Sequence, residues 1–172
     1  MKQIQFFLQR ADKFVLDADI SKCFDKINHE KLLVLIGHKG KVRNQIRAWL
    51  KSGNIFEGIF ESSDADTPQG GVISPLLSNI ALDGIEKRIG DWAETQRLFR
   101  PNGKPINAKK ERRKSISFVR YADDFVVMNH NLDVIKKCKE IISEFLVERG
   151  LEFSDAKTKI VHTRISVEKN EP

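Results

Sequence analysis

A chain of 172 residues, 40% hydrophobic and 31% charged, can bury one substantial core and reads as a single domain. No apolar run approaches the ~20 residues of a membrane span, the N-terminus lacks a signal-peptide pattern, and two cysteines, Cys23 and Cys138, are too few and too distant for a zinc site. The composition therefore argues against a membrane protein and a zinc module, and predicts a soluble, cytoplasmic chain with buried free thiols.

In chain order, residues 3 to 11 carry Ile4, Phe6, Phe7 and Leu8 and predict the end of a helix. From Phe14 to Ile20 a period of two predicts a strand. Phe14, Leu16, Ala18 and Ile20 share one face, and Val15, Asp17 and Asp19 the other, so two carboxylates stand together. Asn28 or His29 can start a helix with Leu32, Leu33 and Ile36 turned inward before Gly37. A second helix with Val42, Ile46, Trp49 and Leu50 precedes Gly53. Asn54 to Phe60 predicts a strand, and Thr67-Pro68-Gln69-Gly70-Gly71 interrupts regular structure. Ser74-Pro75 then predicts the cap and first position of one helix running through Leu77, Ile80, Ala81, Ile85 and Ile89.

The positive charge is local. Arg97, Arg100, Lys104, Lys109, Lys110, Arg112, Arg113 and Lys114 stand against the single acid Glu111, a balance of +7, which leaves the rest of the chain near −1 out of a total of +6. With Pro101, Gly103 and Pro105 and almost no apolar residue, residues 97–114 predict a mobile basic surface loop, either merely solvated or suited to a phosphate backbone.

Next come two β-rich runs, Phe118 to Tyr121 and Phe125 to Met128, flanking Ala122-Asp123-Asp124, which predicts a tight hairpin turn. Adjacent carboxylates in a turn without a lysine are either simply solvated or a place for a divalent cation. An amphipathic helix from Leu132 to Arg149, with Ile135, Cys138, Ile142, Phe145 and Leu146 on one face, ends at Gly150, and Lys159 to Thr163 predicts a closing strand. His29, His38, His130 and His162 lack metal-ligand spacing and read as surface or capping residues. The order of elements predicts an α+β fold, an antiparallel sheet with helices packed on one face. There is no internal repeat and no GxGxxG or Walker motif.

Four stretches, taken together, carry a resemblance. They are Leu16 to Asp25 (LDADISKCFD), Thr67 to Ile80 (TPQGGVISPLLSNI), Tyr121-Ala122-Asp123-Asp124, and Gly150-Leu151-Glu152-Phe153 through Lys157-Thr158-Lys159. In this order and spacing the chain resembles the group II intron reverse transcriptase/maturase family over nearly its whole length. The resemblance implies a polymerase palm with part of the fingers, acting as an RNA-directed DNA polymerase. In that chemistry a primer 3′-hydroxyl attacks an α-phosphate between two Mg²⁺ ions about 3.5 to 4 Å apart. Asp19 and Asp123 would hold the metals, Asp124 would complete the triad, and the carbonyl of Ile20 would be a further oxygen, with Asp17 and Asp25 supporting or structural. Phe24 would gate the sugar unless it is simple core. Gln69 and Gly70 would contact nucleotide and template unless Gly70-Gly71 serve only the turn. Lys157 would meet the leaving pyrophosphate unless it is merely solvated.

The implied partners are an RNA template, a DNA primer, dNTPs and group II intron RNA, with Lys109, Lys110, Arg112, Arg113 and Lys114 as RNA contacts. Full members carry more of the fingers and a thumb. The expectation is thus a fragment that is not processive alone, and that a complementing chain could complete. A non-catalytic RNA-binding maturase remnant and a retron or CRISPR-associated reverse transcriptase are the alternative readings.

Overall fold

The alternation written into Phe14 to Ile20 becomes the middle of a sheet, because one of its faces is all apolar and must be covered. The computed structural model describes residues 12–21, 27–51, 54–56, 59–61 and 74–163. In chain order the elements are β1 (Phe14–Ala18), α1 (His29–Ile36), α2 (Gly40–Lys51), β2 (Asn54–Phe56), β3 (Ile59–Glu61), α3 (Ser74–Leu82), α4 (Ile85–Thr95), α5 (Lys109–Ser115), β4 (Ser117–Tyr121), β5 (Asp124–Asn129), α6 (Leu132–Val147) and β6 (Lys159–His162). The main sheet runs β4-β5-β1-β6, with every neighbouring pair antiparallel.

Register puts like with like. Leu16 stands between Val127 and Ile160, and Ala18 opposite Phe125. Leu16, Ala18, Phe125 and Val127 are all 2% exposed or less, in one core with Ile135, Cys138, Ile142 and Leu146 of α6 and Ile85, Ile89 and Ala93 of α4. Helices thus cover this face, as the order of elements predicts. The Cys138 thiol is free, and burial pushes its pKa up to about 12, so it is an inert core residue. Asn28 caps α1 by accepting from the Lys31 amide at 2.9 Å, and Gly37 ends that helix at φ 70°.

Several expectations are corrected. The single helix from Ser74 to Ile89 is two, α3 and α4. Gly84 between them takes φ 97°, and a Cβ there would meet the Phe145 ring at 3.6 Å, so α6 packs into the break. Asn54 to Phe60 is a hairpin of β2 and β3 with Asn54 opposite Glu61. His29 is a buried first residue of α1, not a surface group.

Residues 97–114 are no irregular loop. Leu98 and Ile106 are buried and joined by a main-chain bond (Ile106 N to Leu98 O, 2.8 Å), Phe99 bridges Pro105, and α5 follows. Two apolar residues at the ends of a short arm are enough to fold it back. The expected helix over residues 3–11, together with Phe24, Gln69 and Gly70, lies outside the described residues. Among the described residues no helix is long and apolar enough to cross a membrane.

Candidate active site

The strand register builds one acidic end of the sheet. Ala18 pairs with Phe125, so one step further along each strand Asp19 and Asp124 reach the same end, on the face opposite the core. Tyr121 pairs with Asp124, which leaves Ala122-Asp123 as a two-residue hairpin loop. The loop is therefore shorter than the three residues expected, and Asp124 is the first residue of β5. Ala122 sits at φ 55°, the only positive φ of a non-glycine residue among those described.

The other edge of Asp19 is pinned by the segment after α6. Ser154 N donates to Asp19 O at 2.9 Å, Ser21 N donates to Glu152 O at 3.0 Å, and Thr158 Oγ1 reaches Asp19 O at 3.4 Å. Ile20 bridges Phe153 between those two bonds. In an antiparallel pair the intervening residue turns its own N–H and C=O the other way, so the Ile20 carbonyl faces the β5 side. Behind the acidic end, on the core face of the sheet, Phe125 lies between Phe118 (centroids 5.9 Å) and Phe153 (6.1 Å).

Lys157 Nζ donates to Asp19 Oδ2 at 2.7 Å; the Asp19 side chain is 14% exposed and that of Lys157 71%. The bond to Asp19 raises the lysine pKa, the charge of Asp19 adds to it, and Asp124 and Asp123 contribute less, so Lys157 is an ammonium held by the whole cluster. Asp124 is shifted upward. Burial is the first cause, then the charges of Asp123 and Asp19, with Lys157 opposing and Asp17 adding slightly. Asp17 stands opposite Lys159 in the ladder, outside this group. The acidic end therefore carries more negative charge than its one lysine offsets.

Among the described residues no three His, Cys, Asp or Glu side chains converge on a preformed metal cage. The donors at hand are nevertheless hard carboxylate oxygens and a main-chain carbonyl, the set that Mg²⁺ takes while keeping several waters. The upward shift of Asp124, from burial first and then from the charges of Asp123 and Asp19, includes a repulsion that a divalent cation would relieve. In donor chemistry and charge, the residues fit such an ion.

Asp19, Ile20, Asp123, Asp124 and Lys157 are brought together, whereas the basic candidates divide. Arg112 donates to Glu94 O (2.6 Å from Nη2, 3.2 Å from Nε), Asn107 O (3.0 Å) and Ile106 O (3.3 Å), closing the C-terminal end of α4. Arg113 pairs with Asp91 and Glu94, both at 2.9 Å, and crosses Gly90, where a Cβ would lie 2.6 Å from its guanidinium. Arg100 pairs with Glu111 at 2.8 Å. Lys109, Lys110 and Lys114 are exposed.

Sequence reasoning missed Arg120, which bonds Asn79 and the Ala122 carbonyl. A signal existed: counting by twos from Phe118 puts Arg120 on the core face, an odd place for a guanidinium.

A family model described as "Reverse transcriptase (RNA-dependent DNA polymerase)" matches residues 2–170. Protein YkfC of Escherichia coli is 27% identical over 87% of this chain and 44% of its own length. The group II intron-encoded protein LtrA of Lactococcus lactis is 27% identical over 88% of this chain and 33% of its own. The chain thus spans less than half the length of these relatives. Telomerase from Candida tropicalis, truncated from its C-terminal domain, has the same fold over 96% of this chain and 34% of its own, with a TM-score of 0.62 at 15% identity.

Proposed function

The chain belongs to the reverse transcriptase (RNA-dependent DNA polymerase) family, and from that premise we propose that it is the palm of an RNA-directed DNA polymerase of group II intron type. The observation that carries this reading is the meeting of Asp19, Asp123 and Asp124 at one end of the sheet, with a carboxylate charge that Lys157 alone leaves unbalanced. The names of the intron-encoded relatives support the intron setting.

Asp19 and Asp123, with the Ile20 carbonyl and Asp124, would hold two Mg²⁺ ions, which lower the pKa of the primer 3′-hydroxyl and stabilise the leaving pyrophosphate. The strand register and the packed core behind the sheet fix the backbone of Asp19 and Asp124, so their positions are set before substrate arrives. Lys157, 71% exposed, would leave Asp19, and its ammonium Nζ would then neutralise or protonate the pyrophosphate oxygen. By family resemblance Phe24 would exclude a ribose 2′-hydroxyl, and Gln69 and Gly70 would touch nucleotide and template. The partners are an RNA template, a DNA primer and dNTPs, with group II intron RNA and a chain supplying fingers and thumb as further candidates. Exposed Lys109, Lys110 and Lys114 would meet phosphates, in the cytoplasm.

The test is Mg²⁺-dependent addition of deoxynucleotides to an oligo(dT) primer on poly(A), in a polymerase that has residues 1–172 as its palm. Asp123→Asn should cost at least ~10³ in rate, several kcal/mol of transition-state stabilisation, with RNA binding retained. Extension within about tenfold of the parent would remove Asp123 from the metal set.

A further inference from the structure

Arg120 lies in register with Phe125, on the core side of β4 and across the sheet from the carboxylates. One nitrogen, Nη1, donates to two acceptors: Oδ1 of Asn79 on α3 at 2.9 Å and the carbonyl of Ala122 at 3.0 Å. That nitrogen carries two hydrogens, so both bonds form at once. The carbonyl it holds belongs to the strained residue. A two-residue hairpin wants Gly, Asn or Asp at a positive φ, and Ala122 at φ 55° pays the Cβ clash that glycine avoids. Something outside the loop must hold it there, and Arg120 is placed to do so.

We propose that Arg120 is a positioning residue, a clamp from α3 through the sheet edge to the Ala122-Asp123 turn that sets where Asp123 and Asp124 stand. Three features separate it from ordinary packing. The guanidinium occupies a row whose neighbours Phe118 and Phe125 belong to the apolar core. Its two acceptors lie 41 residues back and 2 residues on, so the contact joins elements rather than completing one. And α3 follows the Thr67 to Ile73 stretch directly in the chain, so a shift of that helix is transmitted to the acidic turn by one side chain. Its consequence for metal binding rests on the polymerase reading, while the clamp itself rests on the two bonds and the strained turn.

Two readouts on the 172-residue protein test it: amide hydrogen exchange along β4 and β5, and Mn²⁺ affinity from the broadening of amide resonances at residues 19–20 and 123–124. Arg120→Met keeps the apolar stem and removes the donors. It should speed exchange at Asp124 by about tenfold, leave Val126 and Met128 unchanged, and weaken Mn²⁺ about tenfold, the loss expected for a charged hydrogen bond. Arg120→Lys, whose ammonium can serve both acceptors, should stay within about threefold of the parent. Ala122→Gly added to Arg120→Met should recover most of the Mn²⁺ affinity, because glycine holds the positive φ unaided. Asn79→Ala removes one of the two bonds and should shift both readouts the same way by less. It decides the matter if Arg120→Met does not fold.

Exchange unchanged at Asp124, or raised equally along both strands, overturns the clamp; the second result would make Arg120 a stability residue. Mn²⁺ binding that survives Asp123→Asn overturns the metal reading instead, and leaves the exchange comparison to judge the clamp.

Discussion

Two regions of this chain stand out by charge, and the structure treats them in opposite ways. At the acidic end, Asp19, Asp123 and Asp124 are fixed by strand register and a turn, and share one exposed lysine. In the basic segment the arginines are spent at home: Arg112 on three main-chain carbonyls, Arg113 on Asp91 and Glu94, Arg100 on Glu111. A run of like charge becomes a functional signal only when its partners are not found in the same chain. By that measure the carboxylates are the candidate ligand site, while much of the basic segment is architecture.

The contrast breaks most visibly under substitution. Asp19→Asn removes the carboxylate that holds Lys157. It should lower nucleotide addition by at least ~10³, with a melting temperature at or above that of the parent. Arg112→Ala should do the reverse. Loss of the donors at the end of α4 leaves part-buried carbonyls unpaired and should cost about 2 kcal/mol, several degrees in melting temperature, with RNA affinity little changed. Neutralising Lys109, Lys110 and Lys114 to glutamine should leave stability alone and reduce the salt slope of single-stranded RNA binding by up to ~0.7 per lost phosphate contact. An unchanged slope would reduce those lysines to solvated surface.

A smaller effect sharpens the comparison. The folded-state pKa of Asp124 lies above its ordinary value of 3.8, with burial first and Asp123 second among the causes. Between the unfolded and folded values the folded chain keeps the extra proton, so stability falls as pH rises through that window, and the loss is complete above the folded value. Asp124→Asn should therefore be slightly more stable than the parent at neutral pH, by less than ~1 kcal/mol for so exposed a group, and indistinguishable from it below 3.8. Melting curves across that range check the sign.

Much of the acidic end is legible in the residues because strands alternate. The even spacing of Phe14, Leu16, Ala18 and Ile20 separates core from site, and puts Asp17 and Asp19 together without knowledge of any partner strand. Register then chooses between them, and register is not local: only the pairing of Ala18 with Phe125 brings Asp19 to Asp124, while Asp17 stands opposite Lys159. The basic segment was misread for a similar reason. Composition counts its arginines, but Asp91 and Glu94, which take Arg113 and part of Arg112, lie on α4 about 20 residues upstream, and the three acceptors of Arg112 are carbonyls that no side-chain pattern encodes. The break at Gly84 was hidden because Ile80, Ala81, Ile85 and Ile89 keep a helical period straight through it. At its φ of 97°, Gly84 packs against Phe145, some 60 residues away.

The central claim is that the acidic end is a cation site built by Asp19, Asp123 and Asp124. The most direct measurement is the melting temperature of the chain against MgCl₂ at constant ionic strength, for the parent and Asp123→Asn. Binding to the folded state alone stabilises by RT ln(1 + [L]/Kd), about 2.7 kcal/mol at a hundredfold excess over Kd. The parent should therefore rise by several degrees with Mg²⁺ while Asp123→Asn stays flat. An equal rise in both proteins, or none in either, would contradict the account.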